Sequence, residues 1–368
     1  MSQSTSSLRV LAWPAFVNKT GNPYNSLLYE HVSEFGAEVV EFTPVRLLTG
    51  QYDVIHVHWP EGLLLDDRRW VTAVRGGALL GLLRLARMRG ASLVWTVHNL
   101  GSHEPASSGL ATRMWQLFTA EVDGYISLSR SGISAVEQQF PELSDRPGFV
   151  VPHGHYRGVY PREVSKREAR ERLHIPGEAM VFLFVGVIRP YKNVVHCVEA
   201  FRQWKPQDAR LVVAGNPASD DLRKEITAAA ELDERTQTHL AFIPPEEMQY
   251  YLEAADAVVL PYTDILNSGT ALLALSFDRP VIVPDRGAMG ELRREVGANW
   301  VYTYENHFGW EVFEAASQWL SRTERSAQAP LEQHDWEEIA RQTLEAYTSI
   351  RGSGSQMPRA SAAFGLDG

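Results

Sequence analysis

Short β-rich runs recur along the chain at residues 9–13, 37–42, 54–58, 92–97, 125–128 and 149–151, and the stretches between them are long enough for helices. Strands alternating with helix-length segments predict βαβ units and a mostly parallel sheet. After residue 152 the pattern restarts, with runs at 181–185, 210–214, 240–243, 257–260 and 280–283 that predict a second sheet of the same kind. Between the two series lies a segment, 152–178, rich in Pro, Gly, His and charge, where the domain boundary is expected. A length of 368 residues suits two domains of this class. Open α/β sheets bind ligands beyond the carboxyl ends of their strands, so a ligand is expected between the two sheets.

Composition adds bounds. With 44% hydrophobic and 22% charged residues the chain reads as a globular protein with a real core. Its one cysteine, Cys197, cannot form an intramolecular disulfide, and without a Cys/His cluster there is no structural zinc signature. The polar start lacks a signal-peptide core, and no run approaches the roughly 18 apolar residues of a spanning helix, so a cytoplasmic location is expected. A formal charge of -10 argues against general binding to nucleic acid. Locally the balance inverts: Arg68, Arg69, Arg75, Arg84, Arg87 and Arg89 occur without an acid between them and are interleaved with Trp70, five leucines and Met88. Residues 68–89 are therefore either a basic amphipathic helix lying on the anionic inner-membrane face or a surface helix with a core-facing leucine stripe. The segment 353–368, rich in Gly, Ser and Ala, is expected to be a disordered tail.

Two motifs of the second half point to an anionic ligand. The run 181–185 leads into Gly186, then Arg189 and Lys192, before the next helical stretch. A guanidinium fork and an ammonium three residues apart suit a diphosphate, although a solvated loop would read the same way. After the run 257–260 come Pro261 and Tyr262, and then Asn267-Ser268-Gly269-Thr270 opens an apolar helix. Small residues at a helix start expose backbone N–H groups and the positive dipole end to an anion, while an ordinary serine cap needs no ligand. Both motifs follow strands of one sheet, which favours a phosphate site.

In the first half, candidate chemistry collects after strands: His58-Trp59-Pro60-Glu61, and His98-Asn99-Leu100 with His103 and Glu104. Strand ends are where binding loops gather, although any single histidine is more often structural. Asn22-Pro23-Tyr24 lies between the first strand and a helix expected to start near Ser26, and His153 and His155 fall at the expected hinge.

These motifs carry a resemblance. Gly186, Arg189 and Lys192, the stretch from Phe242-Ile243-Pro244 through Glu253-Ala254-Ala255-Asp256 to Pro261, and His334-Asp335-Trp336 resemble glycosyltransferases of the GT-B fold, GT4-like group. The resemblance covers most of the chain. It implies two Rossmann-like domains with parallel sheets facing across a cleft: an acceptor-binding domain at 1–160, a nucleotide-sugar-binding domain at 161–333, and a helix at 334–352 crossing back to the first. Within that group the chain is similar to the xanthan-pathway GDP-mannose:glycolipid β-1,4-mannosyltransferases. The residues behind this are Asn22-Pro23-Tyr24, His58-Trp59-Pro60-Glu61, His98-Asn99-Leu100, His153-Gly154-His155, Gly215-Asn216-Pro217 and Asn267-Ser268-Gly269-Thr270.

The resemblance implies GDP-mannose as donor, a lipid-linked oligosaccharide as acceptor, and exopolysaccharide assembly as the setting. Donor contacts are then expected from Gly186, Arg189, Lys192, Asn216, Ile243, Tyr262, Asn267, Ser268, Gly269, Thr270 and Glu291, and acceptor or cleft contacts from Asn22, Tyr24, His58, His153 and His155. Retaining members of the wider group carry two glutamates eight positions apart, where this chain has Ile265 and Leu273, a departure that fits an inverting reaction. An inverting displacement needs a base and a stabilised leaving group. Glu104 is the first choice of base, then His103 and His98, then Glu61. No Asp-x-Asp triplet occurs, so charge stabilisation by Arg189, Lys192 and the helix start is expected to replace a metal, with no cofactor. A UDP-sugar transferase with another acceptor, or a GT-B protein that binds without turnover, would share most of these features.

Overall fold

The structure is a computed structural model that describes residues 7–64, 66, 68–100, 109–305 and 307–354. These fall into two compact units, one of residues up to 128, 133–151 and from 336 onward, the other of residues 129–132 and 152–335.

The first unit is built on strands β1 (Arg9–Trp13), β2 (Glu38–Glu41), β3 (Val54–Val57), β4 (Ser92–Val97), β5 (Gly124–Ser127) and β6 (Gly148–Val150), in the spatial order β2-β1-β3-β4-β5-β6. Every pair is parallel. Central strands covered on both faces read as continuous apolar runs, and β3 and β5 are buried throughout. The helices are α1 (Tyr24–Glu34), α2 (Pro44–Thr49), α3 (Glu61–Leu64), α4 (Arg69–Met88), α5 (Gly109–Glu121) and α6 (Arg130–Gln139), the last beginning in the segment 129–132.

The second unit repeats the plan with β7 (Met180–Val185), β8 (Ala209–Ala214), β9 (Thr236–His239), β10 (Ala257–Val259), β11 (Val281–Pro284) and β12 (Val301–Tyr304), in the order β12-β11-β10-β7-β8-β9. Its helices are α7 (Lys166–Arg172), α8 (Val194–Gln203), α9 (Asp220–Ala230), α10 (Met248–Ala254), α11 (Gly269–Ser276), α12 (Met289–Val296) and α13 (Trp310–Arg322). Phe182, Phe201, Trp204 and Phe313 interlock in its core, with Trp204 and Phe313 stacked at 5.9 Å. The last described element is α14 (Trp336–Gly354), which belongs to the first unit and packs on α1. Ser353 and Gly354 are thus helical, and the rest of the segment expected to be a disordered tail lies outside the described residues.

The second sheet departs from the sequence reading in two places. The apolar run 240–243 is not a strand, since β9 is the polar segment just before it, an edge strand half-exposed at every position. Phe242 is 58% exposed, which shows that this run's hydrophobicity serves no sheet. A sixth strand, β12, extends the opposite edge beyond β11.

Each sheet reverses its strand order once: in the first, β2 lies on one side of β1 and β3 on the other, and in the second, β8 and β10 flank β7. Loops leaving the two strands at such a point diverge and open a crevice.

Candidate functional site

In the second unit, β7 and β8 pair Val185 with Ala214, so Gly186 and Gly215 leave the sheet side by side. A Cβ on Gly215 would overlap the Gly186 carbonyl, and Gly186 has φ +119° and Gly215 φ +149°, conformations that favour glycine. Beyond them Ile188 N–H donates to the Asn216 carbonyl at 2.9 Å and Ala218 N–H to the Ile188 carbonyl at 2.8 Å. The loop after β7 is therefore strapped to the loop after β8 before it reaches its cations. Asn216 is exposed, and its Oδ1 accepts a hydrogen bond from Arg223.

Arg189 caps a 3-10 turn, Pro190–Lys192, and is exposed. Lys192 is buried, at 8% exposure, with its Nζ 5.3 Å from the centre of the Tyr262 ring. Burial lowers its pKa, opposed by Tyr191 and reinforced to a smaller extent by Arg189. Among the described residues no carboxylate pairs with either cation. A buried ammonium without a counter-ion is costly unless an anion arrives to join it. Thr270 Oγ1 and Lys192 Nζ both face the vacant side of Gly186, 3.5 and 3.8 Å from where a Cβ would stand. Two loops thus converge on one small space.

The loop after β10 supplies the other wall. Thr263 N–H donates to the Tyr191 carbonyl at 2.9 Å and Arg286 to the Thr263 carbonyl at 3.0 Å, which fixes its course. Tyr262 is buried, its phenol pushed up to about 12 by that burial. Both amide atoms of Asn267 are buried without a hydrogen-bond partner among the described residues. Groups of this kind are rare in folded proteins and call for a ligand or water to complete them. Ser268 is a true N-cap, its Oγ accepting from Ala271 N–H at 3.2 Å.

A Cβ on Gly269 would stand 3.2 Å from His153 Nε2 and 3.3 Å from Tyr156 Oη. His153 Nδ1 faces the Gly154 carbonyl at 2.8 Å and must carry its proton there, which turns the lone pair of Nε2 toward the start of α11. Burial holds this ring down at about 4, hence neutral near pH 7.

Two further expected donor residues, Ile243 and Glu291, and one expected cleft residue, His155, are placed as follows. Ile243 is half-buried in the loop after β9. His155 Nδ1 accepts from Arg157 N–H at 3.3 Å. Glu291 opens α12, and its carboxylate accepts the backbone N–H groups of Arg130 and Ser131 at 2.8 and 2.6 Å; burial works to raise its pKa, and these bonds outweigh it.

In the first unit the matching loops behave differently. Backbone N–H groups of Ala15, Phe16 and Val17 all point at the Glu41 carboxylate, the shortest bond being 2.6 Å from Phe16. Asn22 Oδ1 accepts from Tyr24 N–H at 3.1 Å and helps start α1, earlier than Ser26. Tyr24 is buried edge-on against His58 and His98. His98 also stacks on Trp59, ring centres 4.3 Å apart, and faces His58 across 2.9 Å. Glu61 is half-buried at the start of α3. His103 and Glu104 lie outside the described residues.

Four members of this cluster were not singled out from sequence: His56, Tyr29, Thr96 and Tyr347. The available signal was His56-x-His58, since alternate residues of a strand share a face. Burial pushes His56 down to about 3 and His58 well below the ordinary histidine value.

The arginines of α4 meet acids from outside the segment. Arg84 and Arg87 pair with Glu121 at 2.6 and 2.5 Å, Arg87 also with Asp123, and Arg75 lies 3.7 Å from Asp66. Leu79, Leu80 and Leu83 are buried, while Trp70, Val74 and Met88 are exposed. No helix among the described residues is long and apolar enough to cross a membrane.

Comparison with known proteins gives three consistent findings. The family profile described as Glycosyl transferases group 1 matches residues 165–342. The GDP-mannose:glycolipid 4-beta-D-mannosyltransferase of Xanthomonas campestris pv. campestris is 30% identical over 337 residues, 91% of this chain and 90% of that protein. Among solved structures, a sucrose-phosphate synthase from Thermosynechococcus elongatus superposes with a TM-score of 0.68 at 16% identity, covering 94% of this chain and all of that one. WaaG, a glycosyltransferase involved in lipopolysaccharide biosynthesis, superposes with a TM-score of 0.60 at 13% identity, covering 96% of this chain and all of that one.

Proposed function

The chain belongs to the group 1 glycosyl transferases and has their GT-B fold, and from that premise we propose that it transfers mannose from GDP-mannose to a lipid-linked oligosaccharide, inverting the anomeric centre, in exopolysaccharide assembly. The observation that carries this reading is what gathers after β7 and β10: buried Lys192 and exposed Arg189, neither paired with a carboxylate among the described residues, together with the Asn267 amide and the start of α11. A departing nucleoside diphosphate gains charge as the glycosidic bond breaks, and preorganised cations and N–H dipoles in a dry site stabilise that charge most. The mannosyl donor and glycolipid acceptor are favoured by the 30% identity to a protein of that name.

Inversion is favoured by Ile265 and Leu273, both buried and apolar where retaining relatives carry glutamates. The base is drawn from Glu104, His103, His98 and Glu61 of the first unit. The leaving group is held by protein charges without a bound metal, so activity should survive EDTA. A thermal-shift panel of GDP, UDP and ADP sugars followed by a labelled-mannose transfer assay tests the donor. Stabilisation by GDP-mannose together with mannosyl transfer is expected, and stabilisation by UDP sugars alone would replace this reading with a UDP-sugar transferase.

The acceptor's lipid places the enzyme on the cytoplasmic membrane face, with exposed Trp70, Val74 and Met88 of α4 as the contact. Because Arg84 and Arg87 hold Glu121 and Asp123, the clean probe is apolar-to-serine substitution at those three positions rather than charge reversal. Sedimentation with anionic vesicles should be lost in the triple variant, and equal retention would reject this contact.

A further inference from the structure

The turn that leads from β10 into α11 is fastened along its length. Thr263 N–H donates to the Tyr191 carbonyl at 2.9 Å, Ala288 N–H donates to the Leu266 carbonyl at 3.1 Å, and Ser268 Oγ accepts from Ala271 N–H at 3.2 Å. Between these fixed points stands Asn267, whose Nδ2 and Oδ1 are both closed to solvent and make no hydrogen bond among the described residues. A slack turn would swing such an amide out to water. This one is held, so both atoms stay dry and unsatisfied at a cost to stability.

The neighbouring side chains have other uses: Ser268 caps the helix, Thr270 Oγ1 stands with Lys192 Nζ at the vacant side of Gly186, and Ile265 and Leu273 are buried and apolar. The amide is left to a group of its own. A side-chain amide sets two N–H donors beside a carbonyl acceptor in one plane. A phosphate oxygen only accepts, so it would satisfy the N–H while turning its negative charge on the carbonyl. A hydroxyl both gives and accepts, and two neighbouring sugar hydroxyls serve both amide atoms at once. In a sugar nucleotide the groups bonded directly to the diphosphate are sugars, the ribose on one side and the transferred hexose on the other, while the base lies one ring further off. Asn267 precedes the start of α11, where the diphosphate is read, and so stands where a sugar hydroxyl is the nearest group of matching chemistry.

We infer that Asn267 is a specificity-determining residue whose amide reads a sugar hydroxyl of the donor and is not a ligand of the diphosphate. This rests on the donor-site reading above. Stability given up by the unpaired amide returns as affinity when a hydroxyl completes both of its atoms. A donor without that hydroxyl leaves the amide unpaired and is discriminated against for that reason.

Asn267→Leu keeps the branching of the side chain and removes both polar atoms, so stability and affinity should move in opposite directions. Without ligand, the melting temperature of the full chain should rise by about 2 °C or more. GDP, GDP-mannose and 2′,3′-dideoxy-GDP are then titrated by calorimetry into wild type and variant, with a loss of about tenfold in affinity expected wherever the hydroxyl is present. A loss for GDP-mannose with GDP unchanged assigns the hydroxyl to the hexose. A loss for both, with dideoxy-GDP binding the two proteins alike, assigns it to the ribose. Either result supports the inference. An equal loss for all three compounds would make the amide a diphosphate ligand and overturn it. Should Asn267→Leu fail to fold, Asn267→Ala carries the same titrations, and a melting temperature lowered in both variants would show that the amide is spent within the protein, which overturns it as well. Where the donor panel selects UDP sugars, the corresponding uridine compounds replace these three. A wild type that binds no sugar nucleotide refutes the donor site itself, whereas wild-type binding with unchanged variant affinities overturns this inference alone.

Discussion

At the switch point of the first sheet the loop leaving β1 turns the N–H groups of Ala15, Phe16 and Val17 onto the Glu41 carboxylate, and the histidines after β3 and β4 bond to tyrosines and to each other. At the switch point of the second sheet Lys192 and Arg189 have no carboxylate among the described residues, and the Asn267 amide is unpaired. The topology is alike and the use of polar groups is opposite. A fold alone does not make a binding site; a site exists where the fold leaves polar groups unsatisfied. On the proposed reading the second unit takes the anion, and the polar groups of the first are spent on one another.

The largest effect that would break this contrast is at Lys192. Lys192→Ala should lower kcat in the mannosyl-transfer assay by about 100-fold or more, the scale for losing one preorganised charge on a leaving group. A loss below about threefold would make Lys192 a structural side chain. In the first unit the corresponding change is Glu41→Ala, which leaves three N–H groups without their acceptor. It should destabilise by about 2 kcal/mol in chemical denaturation, with the affinity for GDP unchanged. Weakened GDP binding there would mean that the first loop also serves the anion.

Acid sharpens the contrast further. Burial holds His56 at about 3 and His153 at about 4, against about 6.5 in an unfolded chain. As pH falls below about 6.5 the unfolded state binds protons that the folded state refuses. The stability from these neutral rings is complete above that value and is lost progressively toward pH 3 to 4. The melting temperature should fall through this window, and His56→Gln should flatten the fall; an unchanged slope would contradict the assignment. The smallest effect is at the cap: Ser268→Ala should cost about 1 kcal/mol in thermal denaturation, because its Oγ holds Ala271 N–H.

The two-sheet plan was legible because buried parallel strands read as unbroken apolar runs, as in β7 and β11. The edge strand β9, Thr-Gln-Thr-His, carries no such signal and lost the assignment to the more apolar but exposed segment after it. Gly186, Lys192 and the Asn267 to Thr270 turn could be found because each group sits within a few residues of its own strand end. Other contacts could not, since they join distant parts of the chain: Tyr347 meets His56 across 291 positions, and Glu41 reaches Phe16 across 25. The acids that neutralise the α4 arginines likewise arrive from α5 and the residues after it.

The central claim, that the loops after β7 and β10 hold a nucleotide's diphosphate, is tested most directly by calorimetric titration of GDP into the wild type and Lys192→Met, which keeps the side-chain length and removes the charge. The wild type should bind and the variant should lose about tenfold or more in affinity, whereas equal affinities would contradict the account.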